Sequence, residues 1–194
     1  MVLALVVLVA CSRGEPAGSF QPSDLASIEL TAKDAPSGLG YVSAFSGDQN
    51  LDAFARDATE RAHLVQDGFE LGNGAVFVPA DRVDGGHLKP SDPIVQGIAV
   101  VFAQPSGASS ALKRFLDDVR TRQLPGARDG AEPGFGDESY RLDGTNSDGA
   151  AVTLVAWRRG NVILAVLGTS FDPDQVLRLA DLMDGRARAA ASVS

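Results

Sequence analysis

AVTLVAWRRGNVILAVLG, residues 151–168, is the stretch on which the fold turns. Two apolar, β-branched runs flank Arg159-Gly160-Asn161. Val, Ile, Thr and Trp suit a pleated, half-buried surface, and Gly and Asn tolerate the backbone angles of a tight turn. The stretch therefore predicts two antiparallel strands, AVTLVAWRR and NVILAVLG, with the turn folding one back on the other.

Upstream, DESYRL predicts a third strand, joined to this pair through Asp143-Gly144 to Asp148-Gly149. Downstream lies the best helix start in the chain. Asp172 is a cap, Pro173 fits the first helical position, and Gln175 makes a capping-box-like arrangement. Val176, Leu179, Ala180 and Met183 form the stripe that lies on the strands, and RARAAASVS is expected to fray.

Further back, IVQGIAVVFAQ (94–104) predicts a buried strand. Ser106 caps a helix over about 107–123, with Ala108, Ala111, Leu112, Phe115, Leu116 and Val119 inward. A glycine-rich loop, LPGARDGAEPGFG, follows it. FELGNGAVFV (69–78) carries Asn73-Gly74, which predicts a hairpin. PADRVDGGHLKPSDP (79–93) predicts an exposed loop. Asn50 caps an amphipathic helix, LDAFARDATERAHLVQ, with Leu51, Phe54, Ala55, Ala58, Ala62 and Val65 inward. LGYVSAFSG predicts a strand over about 39–46, and residues 24–38 a short helical or extended start. Short links and hairpins define an α+β domain: a mostly antiparallel sheet packed by about three helices.

The chain has 194 residues and a net charge of -8. That balance argues against nucleic acid or anionic lipid bound through a basic surface. One cysteine, Cys11, cannot form an internal disulfide, and two histidines, His63 and His87, cannot build a His-rich metal site. No cofactor is expected.

VLALVVLVA (2–10) is too short to span a bilayer and has the length of an export-signal core. Leu8-Val9-Ala10-Cys11 then resembles the lipobox of bacterial lipoproteins. The resemblance implies that the leader is removed before Cys11 and that the Cys11 thiol carries lipid. The chain departs from the pattern in lacking a basic segment ahead of the apolar run. SRGEPAGSFQPSD (12–24) has the composition of a flexible tether. The expected organisation is signal peptide 1–10, lipidated cysteine and tether 11–24, one domain 25–187 and a frayed tail 188–194.

The candidate sites have plainer structural readings. DGTNSDG (143–149) has calcium-loop composition, but Gly149 comes one position late and Leu154 stands where a glutamate belongs, so a solvated hairpin loop is expected. PGFGDESY (133–140) leads into a strand rather than a helix, unlike a phosphate-binding loop, and adjacent Asp137 and Glu138 would point to opposite faces of that strand. His63 is expected in packing or on the surface. His87, near Asp84 and Asp92, is a weak acid–base or metal candidate. No G-x-S-x-G elbow is present. Trp157 is expected in the core, with Arg158 and Arg159 flanking a turn in water.

GFGDESYRL, VTLVAWRRGNVILAVLG and the capped C-terminal helix, about 133–187, resemble a pattern among uncharacterised exported bacterial lipoproteins. A looser likeness, of architecture alone, is to lipoproteins of the Mog1/PsbP-like fold. Neither implies a catalytic residue. The expected function is a lipid-anchored, extracytoplasmic, non-enzymatic binding or accessory domain. Its partners are the membrane, through Cys11, and an envelope protein or small ligand. The alternative is a hydrolytic or metal-assisted envelope enzyme using His87 and loop carboxylates, near His87 or in the 129–138 loop, and it predicts a cleft that brings those loops together.

Overall fold

The computed structural model of the chain describes residues 19–192. Cys11, the leader and most of the tether lie outside the described residues.

In chain order the strands are β1 (Leu39–Tyr41), β2 (Gly47–Gln49), β3 (Phe69–Pro79), β4 (Ile94–Phe102), β5 (Arg128–Asp129), β6 (Glu138–Thr145), β7 (Ala151–Arg159) and β8 (Val162–Thr169). The helices are α1 (Leu25–Ile28), α2 (Leu51–Phe54), α3 (Ala58–Asp67), α4 (Pro105–Asp118) and α5 (Pro173–Ala191). All eight strands join one sheet in the order β1-β3-β4-β8-β7-β6-β5, with β2 also on the β3 edge. Every pairing is antiparallel. The fold is α+β, and α3, α4 and α5 are the three longer helices that cover the sheet.

Period-two alternation divides the strand residues between two cores. Val155, Trp157, Leu164 and Val166 face α1 and α5, packing on Ile28, Val176, Ala180 and Met183. Leu154, Ala156, Ile163 and Ala165 face α3 and α4, packing on Leu64, Ala108, Leu112 and Leu116. The hairpin of residues 151–168 is thus buried on both sides, which explains its near-continuous apolar run. Among the described residues, no helix is long and apolar enough to cross a membrane.

The structure departs from the sequence reading at identifiable places. Asn73-Gly74 is no hairpin, because β3 runs straight through it. The glycines serve close approach instead. A Cβ at Gly72 would lie 2.7 Å from the Phe54 ring, and one at Gly74 would lie 3.2 Å from the Gln49 amide. Asn73 donates to Asp48 of β2 at 2.7 Å. The expected strand 39–46 is two short strands around a 3₁₀ turn, Ser43–Phe45.

Asn50 does cap a helix, accepting from the Ala53 N–H at 3.0 Å. That helix stops at Phe54, and Asp57 caps a second one by accepting from the Glu60 N–H at 2.8 Å. The break rotates the inward face, so Leu64 is buried and Val65 is 55% exposed. α4 starts at Pro105 after a Gln104 cap, not at Ser106. It continues as a π-helical turn, Val119–Gln123.

Two boundaries also move. Phe20, placed in the tether, is buried in the core, so the fold begins before residue 25. α5 runs on to Ala191, with Ala187 buried, so no frayed tail begins at 188.

Candidate functional site

α3 and α4 lie side by side, α3 against β3 and α4 across β4, β8 and β7. At one end they almost touch, for a Cβ at Gly107 would lie 1.9 Å from the Asp67 carbonyl. There Arg114 also pairs with the Asp67 carboxylate. At the other end Arg56, in the break before α3, reaches with its whole side chain to Asp118 at 2.8 Å. Between these ends is a groove of about 480 Å³, within the range of small-molecule sites.

Its floor is apolar: Ile98, Val100 and Phe102 from β4, and Ile163 and Ala165 from β8. Its rim is charged. Asp118 is buried and accepts from Arg56, Arg122 and Gln123. Burial alone would raise its pKa, but the hydrogen bonds from Arg56 and Gln123 hold it below the usual carboxylate value. Arg56 is held further by Glu60, whose carboxylate accepts from its Nε at 2.9 Å and its Nη2 at 3.0 Å. Those bonds to Glu60, with Asp118 adding to them, raise the pKa of an already cationic group. His63, expected in packing or on the surface, is exposed and lines the groove.

The other candidates fall elsewhere. His87 is exposed in the loop joining β3 to β4. β8 and β7 separate those strands from β6, and the 130–137 segment leads to Glu138 at the opposite end of the sheet. The cleft that the hydrolase alternative requires is therefore not formed. Asp137 and Glu138 do not diverge as their sequence adjacency implies. Both accept from Arg158, at 2.8 Å and 2.7 Å, because Asp137 precedes the strand rather than belonging to it. Burial would raise the Glu138 pKa, but bonds from Arg158 and Ser109 hold it down.

Trp157 is fully buried. Its two arginine neighbours are not simply in water, for Arg159 reaches Asp184 of α5 at 2.9 Å while Arg158 holds the pair just described. In DGTNSDG, Asp143 is turned to Arg141 and Thr153, and the Asn146 side chain accepts from Asp148 and Ala150, building a hairpin loop.

The groove was hidden from sequence reasoning because its walls and floor come from four separated segments. The only local signal is Asp57 followed by Glu60, a helix start inside a pattern that otherwise reads as one helix.

The architecture defines a class: an antiparallel sheet with helices on both faces and a groove under one helical layer. No protein-family model matches the chain, and no curated protein sequence does. A solved structure of similar fold is the crystal structure of the extracellular domain of PknH from Mycobacterium tuberculosis. The TM-score is 0.56 at 10% sequence identity, over 90% of this chain and 100% of that one. At such identity the likeness is one of fold.

Proposed function

We propose that the chain is a lipid-anchored, extracytoplasmic, non-enzymatic domain that binds a small ligand in the groove between α3 and α4. The observation that carries the reading is the groove itself: an apolar floor about as large as a small-molecule site, rimmed by charge. The extracytoplasmic part is supported by the lipobox-like Leu8-Val9-Ala10-Cys11 and by a fold shared with a domain that works outside the cell. The separation of His87 from the 129–138 carboxylates favours binding over hydrolysis.

Two measurements test this. Mass spectrometry of the mature N-terminal peptide should find acylated Cys11; an unmodified Cys11 in membrane-fraction protein rejects the anchor. Native mass spectrometry of protein purified from membranes should find a bound small molecule. Ile98→Trp, which fills the floor, should lose it while the far-UV circular dichroism stays unchanged. A repeated blank from the unsubstituted protein rejects the groove as a ligand site.

A further inference from the structure

We propose that the groove takes an amphiphile with an apolar body and an anionic head, the head lying between Arg56 and Arg122. The inference rests on the groove being the ligand site and names the class of ligand.

The argument is one of charge placement. By formal count the rim is not basic, since Glu60, Asp118, Asp57 and Asp117 line it beside Arg56, Arg114 and Arg122. What a ligand meets is set by exposure. The side chains of Asp118 and Asp67 are only 8% and 7% exposed, whereas those of Arg56 and Arg122 are 51% and 66% exposed. These two carboxylates lie beneath, and the Arg56 and Arg122 guanidiniums above. A guanidinium carries five N–H donors in a planar fork. Arg122 uses its fork on Asp118 alone, so outward donors remain. Asp57 is engaged with the first turn of α3 through the Glu60 N–H. Asp57 and Asp117 are the exposed carboxylates that oppose the anion, and Asp57 is held at the α3 end by that bond.

A second feature excludes a wholly polar ligand. The five floor residues have no polar side-chain atom, so a polar body laid on them would lose its water without gaining a partner. A carboxylate or phosphate at the Arg56–Arg122 end gains charge-assisted hydrogen bonds, and an apolar chain covers Ile98, Val100 and Ile163.

The test uses the full mature protein and three sixteen-carbon probes below their micelle concentrations: hexadecanoate, hexadecanol and hexadecyltrimethylammonium. Calorimetry should rank hexadecanoate first. Arg122→Gln, which leaves Asp118 its bonds from Arg56 and Gln123, should weaken hexadecanoate roughly tenfold and hexadecanol little. Arg61→Gln, whose side chain pairs with Asp52 off the groove, should change neither. Equal binding of acid and alcohol, or preference for the ammonium, overturns the anionic head. If no probe binds although a small molecule co-purifies, the amphiphile class is wrong and the groove stands. If no probe binds and nothing co-purifies, the ligand-site reading itself falls.

Discussion

Asn161 occupies a two-residue reversal, yet its carboxamide is an internal fastening. It accepts from the Phe20 N–H at 2.8 Å and donates to the Phe20 carbonyl at 3.0 Å and the Phe102 carbonyl at 2.6 Å. Asn161→Ala leaves three buried backbone groups short of a partner, at about 1–3 kcal/mol for such a loss. Hydrogen exchange at the Phe20 amide should rise far more than at β7; equal protection in both proteins would disprove the fastening. Sequence reading saw only a turn residue, because the partners lie 141 and 59 positions away.

Glu29 is the other telling residue. It is 2% exposed, and its Oε2 has no hydrogen-bond partner among the described residues. Its Oε1 accepts from the Leu30 N–H at 2.7 Å and lies where a Cβ on Gly97 would be, so β4 needs glycine there. Burial pushes the carboxyl pKa up to about 8, against partial relief from the Leu30 amide and Arg186. Below about 4.5 both folded and unfolded chains hold this proton; between 4.5 and 8 only the folded one does. Stability should therefore fall as pH rises through that window, by at most about 1.4 kcal/mol per pH unit, and level off above it. Urea melts at several pH values check this against Glu29→Gln, which should lose this component of the slope. Parallel curves for the two proteins would refute it.

At the scale of elements, the α3–α4 pair depends on one glycine. Gly107→Ala puts a methyl against the Asp67 carbonyl, and backbone cannot yield as a side-chain tip can. The two helices must part, at a cost of about 1–3 kcal/mol, and thermal melts should show a lowered midpoint. An unchanged midpoint would mean the helices are not held at that contact. The strand pattern around this pair was legible: β4, β7 and β8 follow from apolar runs bounded by turns, and β6 from DESYRL between two turn-rich segments. β3 was not, because Asn-Gly has the same letters whether it bends a chain or lets Phe54 and Gln49 lie against it. The α2–α3 break was missed for a related reason. Helical spacing from Leu51, Phe54 and Ala55 to Ala58, Ala62 and Val65 continues across it, and only the Asp57 cap marks the interruption.

At the scale of the molecule, one sheet serves two cores. Leu164 and Ile163 are neighbours in β8 and belong to opposite ones. Neither helical layer can leave without exposing the back of strands the other needs. Trp157, the single tryptophan, reports the α5 side. Its fluorescence transition should coincide with the far-UV circular dichroism transition during urea unfolding; separated midpoints would show that the layers melt independently. The α+β class was legible from the order of strands and helices. The groove was not, since a space between segments has no sequence of its own. The position of Phe20 has a mechanical consequence. A pull on the chain ahead of it meets, before any strand, the two hydrogen bonds to Asn161 and the ring buried beside them. Tension there should first peel residues 20–34 from α5 and the sheet, where Arg186 grips Asp34 at 2.8 Å, before the strands part.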